Sequence, residues 1–167
     1  MKKLLPVLTV GLIMLIVVIL FVSLSKKEDM ITIYKGNIKK LPIPIKPDHI
    51  NDTECRMVIH DTTYACEVIA PNGNTWFFDD PGCMTKWLET KPFKEKAVLW
   101  VKAVDTGRWI DAREACYART DPTPMHYGFG AREKKSEGCL SFDEMRLKML
   151  RGENLTDPRI RKKLLGH

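Results

Sequence analysis

The sequence lacks the short motifs that mark the common catalytic and metal-binding classes. It contains no Cys-x-x-Cys pair, no zinc-finger spacing, no nucleophile elbow and no glycine-rich phosphate loop. These absences count against thioredoxin-like redox chemistry, structural zinc, serine hydrolysis and nucleotide binding. Basic residues are mixed with acids rather than interleaved with aromatics, so the net charge of +6 does not indicate nucleic-acid binding. We therefore expect neither an enzyme nor a nucleic-acid-binding protein.

Charge is also missing from residues 4–24, which are rich in Leu, Val and Ile. Twenty-one uncharged residues are enough for a helix that crosses a bilayer. No cysteine follows closely enough to carry a lipid at a mature N-terminus. Residues 1–25 are therefore predicted to be an uncleaved transmembrane anchor. Lysines flank both of its ends, so charge bias does not fix its orientation.

The remainder divides into three parts by composition. Residues 26–50 contain Pro42, Pro44 and Pro47 and are predicted to form an extended linker. The folded domain is expected at 51–152, beginning near Cys55. Residues 153–167 form a basic C-terminal tail whose charge run, from Arg159 to Lys163, is interpreted as solvated or membrane-facing.

The domain itself predicts an α+β fold made of two ββαβ-like halves. In the first half, strands are expected at 56–60, 64–70, 76–78 and 97–104, and a helix is expected after Asp79-Asp80-Pro81, where an acid caps and proline occupies the first turn. In the second half, similar segments lie at 109–118 and 125–131, before a helix at 139–150. Each of the two predicted helices starts with an acidic residue beside an aromatic one. This repeated pattern indicates two related halves, offset by about 60 residues in the sequence.

The five cysteines make an odd set, so at least one thiol is expected outside any intramolecular disulfide. If Cys55 is free, the other four have three ways to pair or can stay reduced. Cys66, Cys116 and Cys139 are interpreted as buried thiols or a disulfide. Cys83 lies near a helix N-terminus, where a lowered thiol pKa is expected, although packing in the helix core is the alternative.

Soft metal ligands are concentrated around Cys55 and Met57. In an extended segment these two residues point to the same face, and sulfur donors of this kind select Cu(I). Met125, held by the preceding Pro124, is a third candidate thioether. His60, His126 and Cys83 remain open as further ligands. The alternatives are core packing for Cys55 and Met57, and a hydrogen bond to Asp61 for His60.

Four motifs in this order resemble the NosL family. They are the Cys-x-Met element at 55–57, FDDPGCM at 78–84, the strand with WIDAREA around 98–115, and TPMHYGFGA at 123–131. The resemblance covers roughly residues 50–150. NosL-like proteins are copper-binding accessory factors of nitrous-oxide reductase and are exported to the periplasm.

The resemblance implies that Cys55, Met57 and Met125 bind Cu(I), in a fold of two ββαβ-like halves. The chain departs from the family in its anchor, which is an apolar segment rather than a lipid on cysteine. It also departs at Arg56, where a small residue such as glycine is frequent in the family.

These features together predict a single-pass protein of the inner membrane, with its domain in the periplasm, that delivers Cu(I) for assembly of nitrous-oxide reductase. The apo-reductase is the expected acceptor, and partner accessory proteins or a copper transporter are further candidate partners. Two other classes stay open: a thiol-based redox protein, and a structural subunit that docks onto a membrane complex without metal.

Overall fold

The computed structural model describes residues 4–24 and 30–166, and within the first helix it describes the side chains of 9–21. The chain is α+β. The helices are α1 (Leu4–Leu24), α2 (Pro81–Glu89), α3 (Phe142–Leu150) and α4 (Pro158–Leu165), with a 3₁₀ turn at Lys94–Lys96. The strands are β1 (Ile33–Tyr34), β2 (Cys66–Ile69), β3 (Thr75–Phe78), β4 (Val98–Lys102), β5 (Trp109–Asp111), β6 (Cys116–Tyr117) and β7 (Ala131–Arg132).

Five strands form one antiparallel sheet in the order β1-β3-β2-β4-β5. The central strand β2 is buried along its whole length, and it pairs with β3 on one side and β4 on the other. Aromatic and β-branched residues dominate these three strands, as expected for a sheet covered on both faces. The predicted strands at 64–70 and 97–104 are thus confirmed with shorter bounds, and the strand predicted at 76–78 is confirmed but begins one residue earlier.

One face of the sheet carries the main hydrophobic core. Alternate residues of β2, β3 and β4 point to this face, where α2 covers the sheet and α3 packs against α2. Cys83 and Met84 of α2 are fully buried in this core together with Met145 of α3. The helix predicted after Asp80-Pro81 is thus present, and its apolar residues pack in the core.

The opposite face is covered by the segment that the sequence predicts as a linker. Ile43 and Ile45, two residues apart in an extended stretch, pack against Ile50, Ile59 and Phe77. β1 adds an edge strand to β3. The prediction of a free spacer is therefore wrong for residues 31–50. Prolines alternate with Ile43 and Ile45, so both isoleucines point to the same side and pack on the sheet. Residues 26–29 of the predicted linker lie outside the described residues.

Glu67 of β2 is buried on this same face. Its carboxylate accepts a hydrogen bond from the backbone N–H of Ile43, at 3.0 and 3.1 Å to its two oxygens. Burial raises the pKa of Glu67 to about 8, and the Ile43 bond offsets part of that shift. The side chain therefore ties the 31–50 segment to the central strand.

The second half of the domain is less regular than predicted. β6 and β7 form a separate two-stranded sheet, and α3 follows them. The first half matches the ββαβ pattern, whereas in the described chain α3 is followed by the helix α4 and not by the third strand of that pattern. A disulfide joins Cys116 to Cys139, which leaves Cys55, Cys66 and Cys83 as free thiols.

The C-terminal tail contains a helix that the charge-run interpretation did not predict. Asp157 caps α4 by accepting from the N–H groups of Arg159 and Ile160. Pro158 occupies the first turn, and Gly166 ends the helix with φ of 81°. These are the ordinary start and stop signals of a helix, and here they outweigh the run of positive charge.

The first helix, α1, coincides with the uncharged run of residues 4–24. Within the part of the chain that the structure describes, no helix combines the length and hydropathy that crossing a bilayer requires. The anchor therefore stays a prediction.

The buried carboxyl of Glu67 predicts a pH-dependent stability. The folded protein holds this proton up to about pH 8, whereas the unfolded chain releases it near its ordinary value of 4.5. Between pH 4.5 and about pH 8 the folded state therefore binds more protons than the unfolded chain. The free energy of unfolding consequently falls as pH rises through this range. For Glu67→Gln we expect a flatter profile and, at about pH 8.5, a gain of roughly 1–3 kcal/mol.

Thermal and urea unfolding across this pH range will measure the effect. The exposed Glu95→Gln is the matched control and is expected to retain the wild-type profile. A pH profile of Glu67→Gln identical to that of the wild type would contradict the assignment.

Candidate metal centre

The candidate metal centre begins at the N-terminus of α2. Asp80 is the N-cap residue, and its side chain accepts a hydrogen bond of 2.7 Å from the N–H of Gly82. Pro81 fixes the first turn, and Cys83 follows in that turn with its side chain fully buried. The capping predicted for the Asp79–Asp80 pair is confirmed for Asp80, and Asp79 points elsewhere.

A tight loop at residues 52–57 places Cys55 beside α2. One carboxylate oxygen of Asp52 accepts from the N–H groups of Glu54 and Cys55, and the other accepts from the N–H of Asp79. The N–H of Asp52 donates to the carbonyl of Met57 and closes the loop. Asp52 therefore fixes the Cys55 backbone against the end of β3.

The loop conformation overturns the extended geometry predicted for Cys55 and Met57. Arg56 between them has φ of 68°, in the left-handed region, so the chain turns and no strand forms at 56–60. Cys55 points toward the core, whereas the side chain of Met57 is 44% exposed.

Four side chains converge at this point: Asp52, Cys55, Asp79 and Cys83. One ligand atom from each lies within 4.8 Å of all the others. Ligands around a tetrahedral ion with bonds of about 2.3 Å lie about 3.8 Å apart, so a small contraction would bring all four onto one ion. Three of the four residues are buried and Cys55 is half-buried, so access is through the Cys55 side.

The electrostatics of the cluster favour a cation. Burial raises the pKa of the Cys55 thiol to about 11, and the carboxylates of Asp52 and Asp79 add to the shift. Burial and the same acids raise the pKa of Cys83, so the lowered value expected at a helix N-terminus is wrong. The pKa of Asp79 is also raised, by burial first and then by Asp52.

An unpartnered atom points to the same conclusion. Oδ1 of Asp79 is buried and accepts no hydrogen bond. Buried polar atoms are nearly always paired, so an unpaired carboxylate oxygen beside two thiols is the environment that a metal ion satisfies. These groups must lose protons to bind a metal, which makes binding pH-dependent.

Met125 reaches the same region on a second loop. Its backbone N–H donates to Oδ2 of Asp80 at 3.1 Å, and its side chain packs against the core that also contacts Cys55. Thr123 Oγ1 accepts from the N–H groups of Tyr127 and Gly128 and so closes this loop. The segment predicted as a strand at 125–131 is therefore a loop up to Ala131, where β7 begins.

Gly82 allows this loop to approach α2. A Cβ at position 82 would lie 2.3 Å from the ring of Tyr127, so any larger residue would push the 123–128 loop away from Cys83. The close approach of the TPMHYG segment to the FDDPGCM segment thus depends on glycine at this position. The Cu(I)-ligand role of Met125 stays a prediction.

The histidine candidates lie apart from the cluster. His60 is exposed, and its Nδ1 contacts Asp48 rather than the predicted Asp61. His126 is exposed and has φ of 57°. Neither is among the four converging residues. Sequence reasoning identified Cys55 and left Cys83 open, but it missed Asp52 and the metal-facing role of Asp79.

No protein-family model and no curated protein matches this chain. Membership of the NosL family therefore stays a prediction from the four motifs.

Because the backbone of Arg56 is left-handed, glycine at this position is expected to stabilise the fold more than alanine does. An L-residue in this region costs about 1–2 kcal/mol, and glycine adopts it freely. We expect Arg56→Gly to be more stable than Arg56→Ala by roughly 1 kcal/mol. Both variants lose the guanidinium group, so the difference in their unfolding free energies isolates the backbone. Equal stability, or a more stable alanine variant, would exclude strain at this position.

Proposed function

We propose that this chain is a membrane-anchored Cu(I)-binding accessory protein that delivers copper for assembly of the metal centres of nitrous-oxide reductase. The observation that carries the metal-binding part is the convergence of Asp52, Cys55, Asp79 and Cys83 within 4.8 Å. The copper and client assignments rest on the NosL-like motifs. Delivery breaks no substrate bond, so the proposed role is not enzymatic.

The choice of ion follows from the sulfur donors. Cys55 supplies one thiolate in the predicted set with the thioethers of Met57 and Met125, and the geometry adds Cys83 as a second thiolate. Sulfur donors of both kinds select Cu(I) over harder cations. The two carboxylates suit a harder ion such as Zn(II), so a direct competition between these metals tests the assignment.

The different burial of these sulfurs fits a protein that releases its ion. Cys83 is buried, Cys55 is half-buried, and Met57 is the most exposed of the three. In the proposed transfer, an incoming donor from the acceptor displaces Met57 first, because that ligand is reachable from outside. The ion then moves outward by ligand exchange, and the buried carboxylates retake protons as it leaves.

The proposed location is the periplasmic side of the inner membrane. The disulfide between Cys116 and Cys139 is typical of proteins that fold in oxidising compartments. α1 is the proposed single-pass anchor because its 21 residues carry no charge. The apo-reductase is the proposed acceptor, with other accessory proteins or a copper transporter as further partners.

Removal of Cys55 will test the site directly. For Cys55→Ser we expect a loss of Cu(I) affinity of at least about a hundredfold, because serine provides no soft donor. Cys83→Ser is expected to weaken binding by a similar factor, and Met57→Leu by about tenfold. Competition with a chromogenic Cu(I) chelator measures all three, with His60→Gln as the control.

Two results would contradict this proposal. Unchanged Cu(I) binding by Cys55→Ser would exclude the cluster as the site. If Zn(II) and Cu(I) compete for the cluster and the cluster binds Zn(II) more tightly, copper would be excluded as the ion that it binds. Binding is also expected to strengthen about tenfold per pH unit for each proton that the metal displaces.

A thiol redox role is the second candidate, because the sulfurs of Cys55 and Cys83 lie within 4.8 Å of each other. Oxidation would join them in a disulfide and pass two electrons and two protons to a disulfide reagent. With oxidised glutathione, we expect the three free thiols to fall to one in the apo-protein and to remain three when Cu(I) is bound. Thiol titration measures this number, and oxidation despite bound copper would favour the redox role.

A further inference from the structure

Exposed apolar side chains are concentrated in one short stretch of the domain. Outside α1, the described part of the chain has eight large hydrophobic residues with exposed side chains, and five of them lie within residues 31–41. These five are Ile31, Ile33, Tyr34, Ile38 and Leu41. Ile38 is 73% exposed and Leu41 is 56% exposed. A cluster of this kind on a small domain marks a contact surface.

The same stretch is basic. Lys35, Lys39 and Lys46 are exposed, and Lys40 is half-buried. The only acid within residues 30–49 is Asp48, and His60 already contacts it. Lys39 lies beside Tyr34, Ile38 and Leu41, and Lys46 lies beside Ile31 and Tyr34. These apolar side chains and lysines therefore share one surface, which we call the 31–46 surface. This combination is typical of segments that lie in the headgroup region of anionic bilayers.

The fold holds this surface in a fixed shape. The N–H of Asn37 donates to the carbonyl of Gly73, and its side-chain amide donates to the carbonyl of Leu41. The indole of Trp100 donates to the carbonyl of Lys40 at 3.0 Å. These bonds fix the turn against β3 and β4 while Ile38 stays outside it. The exposed side chains are therefore presented by the fold and do not result from loose packing.

A groove within the same surface is wide enough for apolar groups. It has a volume of about 560 Å³ and runs between Ile31, Tyr34 and Ile43, with Phe77 at its floor. Lys46 lies at its rim. The apolar lining beside a cation matches the chemistry of an anionic lipid, with its acyl chain in the groove and its phosphate near lysine.

The position of α1 determines which partner this surface can reach. Only six residue steps separate Leu24 from Met30, and they span at most about 20 Å. With α1 in the bilayer, the 31–46 surface begins at the membrane interface. The metal centre packs against the core on the other face of the sheet, so a domain lying on this surface would leave Cys55 open to a partner.

We propose that the 31–46 surface lies on an anionic lipid bilayer and orients the domain so that its metal centre faces away from the membrane. This inference rests on the proposed role of α1 as the anchor. The apolar side chains enter the headgroup region, and the lysines contact lipid phosphates. The segment that connects anchor and domain is then a docking surface rather than a spacer.

Quenching by brominated lipids tests this contact in the full chain. Ile38→Trp places a reporter on the 31–46 surface, and Leu147→Trp places one on an exposed position of α3. Both variants are reconstituted into vesicles of phosphatidylethanolamine and phosphatidylglycerol with brominated acyl chains. We expect brominated lipids to lower the tryptophan fluorescence that Ile38→Trp adds to the wild-type signal by about twofold or more. The fluorescence that Leu147→Trp adds is expected to be unchanged. Combined Lys35→Gln and Lys39→Gln, or high salt, should reverse the quenching.

The controls separate this proposal from the anchor on which it rests. Alkaline extraction of the same vesicles reports whether the chain is anchored, and Cu(I) competition reports whether the centre is intact. An anchored protein in which both tryptophans escape quenching would overturn the surface contact and leave the anchor standing. Release of the protein by alkali would instead overturn the anchor, and the contact with it.

Discussion

The carboxylate of Asp52 is the contact on which the candidate metal centre depends. It accepts three backbone hydrogen bonds, two from its own loop and one from Asp79 at the end of β3. Hydrogen bonds to a charged group each contribute roughly 1.5–3 kcal/mol, so this side chain can hold an otherwise strained loop. The positive φ of Arg56 and the inward direction of Cys55 both follow from that restraint.

Asp80 has the corresponding role for the other half of the centre. One of its oxygens caps α2 and the other accepts from Met125, 45 residues later in the chain. A single buried carboxylate thus joins the helix that carries Cys83 to the loop that carries Met125. The cluster is built by acids that bind backbone, and it collects buried carboxyl and thiol groups as a result. Such a concentration is costly without a cation, which gives the proposed copper role a physical basis.

Local signals in the sequence predicted local structure well. The capping residues around Asp80 and Pro81 gave the start of α2, because a cap is satisfied within a few residues. The same signals at Asp157, Pro158 and Gly166 start and end α4, whereas the run of positive charge between them predicts only a solvated tail. The strand predicted at 56–60 failed because one residue in the left-handed region changes the direction of the chain, and arginine gives no warning of it.

Composition did not predict which distant segments of the chain contact each other. Proline spacing predicted the extended stretch at 41–46 correctly, but it did not reveal the turns on either side of it, the packing of Ile43 and Ile45 on the sheet, or the bond from this segment to Glu67. Burial of one face by another segment is a tertiary event, and the same alternation occurs in free linkers and in packed ones.

The sequence by itself determined the α+β class, the apolar first helix, the main strands and the candidate sulfurs of Cys55, Met57, Met125 and Cys83. These depend on periodicity, caps and donor chemistry, which are local properties. Only the tertiary structure decided that Cys55 meets Cys83 and two aspartates while Met57 stays partly exposed. That outcome depends on hydrogen bonds between segments some 25–45 residues apart, whose geometry no local pattern encodes.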